Sequence, residues 1–151
     1  MNLNDEPKII DGGIAKDERG QLVFSNDFNM NDIKRFYMVE NSSIDVIRAW
    51  HGHDKEAKYV FVVSGSALVA AVFLNDLKQP DKNNKIYKYI LSAEKPQVLY
   101  IPSKYANGFK ILELGTKVIF FSTSTLEESK NDDYRFPVDY WGKEIWEVGN
   151  K

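Results

Sequence analysis

The chain has 151 residues and a mass of 17.4 kDa, with 43% hydrophobic and 28% charged residues. This is the balance of one ordinary globular domain and excludes a disordered chain. Twenty basic against twenty-two acidic residues give a net charge of −2, and cysteine is absent, so nucleic-acid binding, disulfides, thiol nucleophiles and Cys-based zinc sites fall away.

Met1 to Ile10 is polar with no apolar run, so no signal peptide is expected and a cytoplasmic location is. Asp17-Glu18-Arg19-Gly20 reads as a turn leading into a strand over Gln21 to Phe24. Ile33 to Val39 mixes apolar and aromatic residues with charges, and Val46 to Trp50 is a short apolar run. Tyr59 to Val63 and Ala67 to Leu74 are strand-like, with Ser64-Gly65-Ser66 as a hairpin turn between them. Ala67 to Leu74 is also the longest apolar stretch. It is too short to span a bilayer, so no membrane partner is expected.

Asn75 to Lys85 is a polar loop. Ile86 to Leu91 alternates, with Ile86, Lys88 and Ile90 on one face and Tyr87, Tyr89 and Leu91 on the other. Val98 to Ile101, Phe109 to Leu114 and Lys117 to Ser122 complete the strand-like segments. Only Ser124 to Asp132 and Tyr140 to Val148 suggest helix. Short strands with turns at close intervals predict an all-β sandwich or barrel. One domain is expected over residues 1–151, with a polar tail at each end.

His51 and His53 are the only histidines, and they share the run Arg48-Ala49-Trp50-His51-Gly52-His53. On a strand, residues two apart face the same way. Three readings follow: two surface histidines, two ligands of a metal site, or a metal-free acid/base pair in a barrel mouth. A metal needs a third ligand and often a fourth. Glu56 is the nearest carboxylate, and one carboxylate makes a poor set, so no metal and no cofactor is expected. Lys58 and Arg48 flank the pair and suit an anionic substrate or a developing oxyanion. Alone, Lys58 reads as a solvated strand-end lysine.

Arg48-Ala49-Trp50-His51, followed by Lys58-Tyr59-Val60-Phe61-Val62-Val63-Ser64-Gly65-Ser66, resembles the core signature of the RmlC-like cupins, which include the dTDP-4-dehydrorhamnose 3,5-epimerases. Asp17-Glu18-Arg19-Gly20, Leu91-Ser92-Ala93-Glu94, the Ile101 to Phe109 loop and Tyr134-Arg135-Phe136 extend the resemblance in the same order over residues 8–140. The resemblance implies a double-stranded β-helix (jelly roll), a homodimer, and a nucleotide-sugar substrate used in carbohydrate biosynthesis. It also implies proton transfer beside a sugar ketone, with His51 as base and Lys58 stabilising the enolate oxygen.

Three positions depart from the epimerases. Phe120 stands where the family has a proton-donating tyrosine, Asn107 stands where it has a loop histidine, and the late aspartate that orients the catalytic histidine has no counterpart. The dTDP-sugar 3,4-ketoisomerases, a second branch, carry Arg-Gly-Phe-His-Ala-His at this motif and a segment resembling Ile33-Lys34-Arg35-Phe36-Tyr37-Met38. The expected function is therefore metal-free isomerisation of a dTDP-4-keto-6-deoxyhexose, by epimerisation or by ketone migration. His51, His53, Lys58 and Tyr37 are the catalytic candidates. Arg48, Arg19, Asn107 and Tyr105 are the substrate-binding ones. Arg35 is a further candidate for the diphosphate, though Asp27 and Asp32 offer it ordinary surface pairs. The rival reading is a non-catalytic sugar- or nucleotide-sugar-binding cupin, which fold alone does not exclude.

Overall fold

The computed structural model describes residues 5–148; residues 1–4 and 149–151, the outermost parts of the expected polar tails, lie outside the described residues. Two five-stranded antiparallel sheets face each other. The first has, in spatial order, β1 (Lys8–Asp11), β9 (Gln97–Ile101), β6 (Lys58–Ser64), β11 (Lys117–Ser122) and β4 (Arg35–Val39). The second has β12 (Tyr134–Arg135), β5 (Arg48–His53), β10 (Tyr105–Ile111), β7 (Ser66–Phe73) and β8 (Ile86–Ser92). A separate hairpin pairs β2 (Gly13–Asp17) with β3 (Gly20–Phe24). This is the all-β sandwich expected from the strand pattern, in the jelly-roll form that the resemblance implies. Among the described residues, no helix is long and apolar enough to cross a membrane.

Side-chain alternation explains the layers. On β6, Lys58, Val60 and Val62 turn inward while the residues between them are more exposed. Val60, Val62, Leu99, Val118 and Phe120 from the first sheet meet Ala67, Val69, Tyr105, Phe109 and Ile111 from the second. Strand β7 has no such alternation because both of its faces are buried. Leu68, Ala70 and Val72 point away from the first sheet, under Trp50, Phe136, Trp141, Ile145 and Trp146. A strand covered on both faces reads as a continuous apolar run. Fully burying a large apolar side chain contributes roughly 1.5–3 kcal/mol, so this C-terminal cover is a second core.

Two glycines have identifiable jobs. Gly65 sits at φ +79° in the turn between β6 and β7, a conformation that disfavours other residues. Gly108 passes so close to β5 that an added Cβ would lie 2.5 Å from the Ala49 Cβ and 3.0 Å from the Arg48 carbonyl oxygen. There β5 carries an irregularity: Asn107 pairs with His51, but Phe109 pairs with Arg48. Three residues of β5 thus advance against two of β10, which is a bulge.

The sequence expectations differ from the structure at four places. Lys8–Asp11, expected within the polar tail, is an edge strand paired with β9; four residues are too few to show a period. The segment Ile101 to Phe109, expected as a loop, contains most of β10, which pairs on both sides despite its Asn and Gly. The run expected at Val46 to Trp50 is shifted, so that β5 carries both histidines. Of the two helical expectations, Ser124 to Asp132 contains α1 (Leu126–Lys130), started by a Thr125–Glu128 capping box. Tyr140 to Val148 contains only a 3₁₀ turn, Lys143–Trp146.

Candidate active site

Strand registers bring distant residues into short rows. On the second sheet, Arg135, His51 and Asn107 are direct neighbours across β12, β5 and β10. On the first, Arg35, Ser122 and Lys58 are neighbours across β4, β11 and β6, and Tyr37, Phe120 and Val60 form the next such row. His51 and His53, two apart on β5, share a face as their spacing predicts. Arg135, His51 and Asn107 of the second sheet, Arg35, Lys58, Tyr37 and Phe120 of the first, and His53 border one cavity of about 320 Å³, within the usual range for a small-ligand site. Arg48 precedes His51 by three residues and would face away on a regular strand. The bulge against β10 returns it to the cavity.

The turn after β5 is held by Asp132. Its carboxylate accepts three consecutive backbone N–H groups: from Asp54 at 2.7 Å, Lys55 at 2.9 Å and Glu56 at 3.0 Å. Its own carbonyl oxygen lies 2.6 Å from His53 Nδ1. A carbonyl can only accept, so Nδ1 carries the hydrogen and Nε2 of the neutral ring is left as a lone-pair nitrogen. That Nε2 is buried and has no hydrogen-bond partner among the described residues. Glu56 lies beside the same ring, with Oε1 3.5 Å from Nδ1. Ser122 Oγ donates to Glu56 at 2.6 Å and Ser129 Oγ donates at 2.8 Å.

The electrostatics keep both imidazoles neutral. Burial, then Arg135 and Lys58, push His51 down to about 4, against the pull of Asp133. Burial and then Lys58 lower His53 too, with Glu56 and the Asp132 carbonyl pulling it back up. Burial alone raises the Glu56 carboxyl, but Ser122, His53, Lys58 and Ser129 outweigh it and hold it below the ordinary carboxylate value. A neutral histidine and a charged lysine in one cavity can take a proton from carbon and offset the anion that forms. Lys58, 8% exposed, holds its Nζ 5.8 Å from the Tyr37 ring centre and 5.6 Å from that of Phe120. Tyr37 stacks on Phe120, centroids 5.2 Å apart and planes at 11°.

Seven of the residues singled out from sequence border the cavity: His51, His53, Lys58, Tyr37, Arg48, Asn107 and Arg35. Arg35 is not spent on Asp27 or Asp32; its guanidinium lies 5.0 Å over the Tyr37 ring and 3.9 Å from Glu56. Asn107 is on a strand rather than in a loop, its Nδ2 3.4 Å from the His51 carbonyl oxygen. Arg19 and Tyr105 do not border the cavity. Arg19 pairs with Asp17 at 2.6 Å on the β2–β3 hairpin, and Tyr105 is buried in the core with its hydroxyl 3.1 Å from the Asp5 carbonyl oxygen. Sequence reasoning missed Arg135, Lys130, Asp132 and Ser129, and weighed Glu56 only as a metal ligand. Arg135 was visible only as part of Tyr134-Arg135-Phe136, and the others only as a polar helix and its flank. Among the described residues, no group of three His, Cys, Asp or Glu side chains is set to hold a metal.

A family model described as dTDP-4-dehydrorhamnose 3,5-epimerase matches residues 5–139. The chain is 31% identical over 96 residues to the spore coat polysaccharide biosynthesis protein SpsL of Bacillus subtilis (strain 168), a match covering 62% of each chain. Among solved structures, the Legionella pneumophila RmlC epimerase in complex with dTDP-4-keto-L-rhamnose superposes at TM-score 0.75 with 21% identity, over 99% of this chain and 83% of that one. The sugar 3,4-ketoisomerase QdtA of Thermoanaerobacterium thermosaccharolyticum, in complex with TDP, gives 0.69 and 19%, over 92% and 94%. At these identities the superpositions establish the shared fold.

The His51 environment yields a pH prediction. The folded ring titrates near 4 against 6.5 when free. Between those values the unfolded chain binds a proton that the folded chain does not. This ring's contribution to stability is therefore complete above pH 6.5 and is lost as the pH falls to 4. A ¹H NMR titration of the ring protons should give a midpoint close to 4; a midpoint near 6.5 contradicts the described burial.

Proposed function

The chain belongs to the dTDP-4-dehydrorhamnose 3,5-epimerase family, and from that premise we propose that it is an isomerase that moves a proton beside the ketone of a dTDP-linked 4-keto-6-deoxyhexose. The observation that carries this reading is the neutral, cavity-facing histidine pair beside the Lys58 ammonium. Substrate class is supported by the structures of like fold holding dTDP-4-keto-L-rhamnose or TDP and by the cationic wall of Arg35, Arg48 and Arg135, which suits a diphosphate.

In the proposed chemistry, His51 takes the proton from C3 and the C–H electron pair moves toward the C4 carbonyl. The resulting enolate oxygen faces Lys58. Returning a proton to C3 from the other side gives the epimer. Protonating C4 while the C3 hydroxyl proton passes to the C4 oxygen gives the 3-keto sugar instead. Both outcomes share the enolate and conserve protons. His53 is the second acid/base. Phe120 has no hydroxyl, and the phenol of Tyr37, stacked directly on it from the neighbouring strand, is the group available on that wall to return a proton. A sugar-binding module would use the cations but has no need of the unpartnered His53 Nε2.

We propose further that two copies pair through the outer face of the first sheet. There Phe36 is 67% exposed and Met38 49% on β4, with Val63 exposed on β6 of the same sheet, and apolar side chains gathered on one open face mark an interaction surface. Sedimentation should show a species of twice 17.4 kDa that Phe36→Asp disperses; a monomer at every concentration contradicts it.

The catalytic assignment is tested by His51→Asn. Turnover of dTDP-4-keto-6-deoxyglucose should fall by about 10²–10⁴-fold, with the thermal midpoint nearly unchanged because the swap is polar for polar at a half-buried site. Turnover at the wild-type rate contradicts His51 as the base.

A further inference from the structure

We propose that Glu56 is a positioning residue for His53: its buried carboxylate holds the imidazole with Nε2 toward the cavity and stabilises the ring whenever Nε2 takes up a proton. The proposal rests on the acid/base reading of the cavity given above. Glu56 is 2% exposed overall, and its side chain is fully enclosed. An enclosed carboxylate is costly unless hydrogen-bonded and paired. Ser122 at the end of β11 and Ser129 on α1 supply the hydrogen bonds, and the remaining neighbours are His53 Nδ1 at 3.5 Å and Arg35 Nη2 at 3.9 Å.

A purely architectural role, tying α1 to β11, would need no charge. A glutamine at this position can accept from one serine and donate to the other. What only a carboxylate supplies is a negative charge beside the ring. The Asp132 carbonyl orients Nδ1–H, yet a neutral carbonyl offsets an imidazolium far less than a carboxylate does. When a substrate proton moves to Nε2, the ring carries hydrogen on both nitrogens and a full positive charge, with Lys58 bordering the same cavity. Giving that proton back restores the starting state, so no co-reactant is needed. The charged and titratable groups around His53 are Lys58 on β6, His51 on β5, Asp132 after α1 and Glu56, with Arg35 of β4 beyond Glu56. Glu56 is the carboxylate closest to Nδ1, and it opposes Lys58.

The test is a ¹⁵N-histidine NMR titration of the full chain from pH 8 to 4, with kcat/KM measured over the same range. At neutral pH, His53 of the wild-type protein should show hydrogen on Nδ1 and a bare Nε2; hydrogen on Nε2 instead overturns the proposal without need of any variant. In Glu56→Gln the His53 midpoint should move to lower pH and the acid limb of kcat/KM should move with it. The same variant should lose about 10-fold or more in kcat while KM stays within about threefold. A His53 midpoint that does not move overturns the proposal even if the variant is less stable, because an architectural role predicts that result. If the wild-type protein shows no isomerase activity, the acid/base reading fails, while the tautomer and midpoint still decide the role of Glu56.

Discussion

The site depends on one residue, Asp132, that is not itself part of the cavity lining. Asp132 receives three consecutive N–H groups of residues 54–56 on its carboxylate and the His53 ring on its carbonyl. Hydrogen bonds to a charged acceptor are worth about 1.5–3 kcal/mol each, so this single side chain anchors the turn between β5 and β6. That turn sets where His53 ends β5, where Glu56 is enclosed and where Lys58 begins β6. In the epimerases that the sequence resembles, a late aspartate orients a catalytic histidine. Here Asp132 meets the second histidine, His53, through its backbone carbonyl.

Charge balance follows from the same arrangement. The cavity wall gathers Arg35, Arg48, Lys58 and Arg135 around two imidazoles. Such a concentration of cations would be unfavourable if the histidines were also protonated. Burial and the neighbouring cations therefore keep the rings neutral, which is the form that accepts a proton. The surplus positive charge is left for an anionic ligand or a developing enolate. The enclosed Glu56 opposes this trend at one ring only, so the two histidines are electrostatically distinct although they share a strand face. Groups whose surroundings push them apart in basicity can take different roles in one reaction.

Much of this was legible from the chain. Period-two alternation located β8, strand-like composition located β6 and β11, and the apolar run Ala67 to Leu74 located β7. The His-x-His spacing placed two imidazoles on one side. Local pattern and tertiary contact disagree at several residues, among them Arg48 and Arg35, which were named as candidates without any strand-period argument. Arg48 reaches the cavity only because of a bulge, and a strand period alone turns it away. Arg35 has acidic neighbours in sequence, but the alternation of β4 carries it inward with Tyr37 and Val39. Ser124 to Asp132 reads only as a helical segment, with no local sign that Ser129 and Asp132 close over His53 and Glu56 from more than seventy residues away. Arg19 carried the strongest turn motif of the N-terminal region, and that motif makes a hairpin remote from the cavity.

The central claim is that this cavity moves a carbon-bound proton of a nucleotide-linked keto sugar by its own side chains. An NMR time course of the purified protein with dTDP-4-keto-6-deoxyglucose in D₂O tests it most directly. The account predicts deuterium at C3 or C5 without ketone migration for epimerisation, or deuterium at C4 with a new 3-keto signal for ketone migration. Full retention of the carbon-bound protons at high protein concentration, with the nucleotide sugar bound, would contradict it and leave a binding protein built on the same fold.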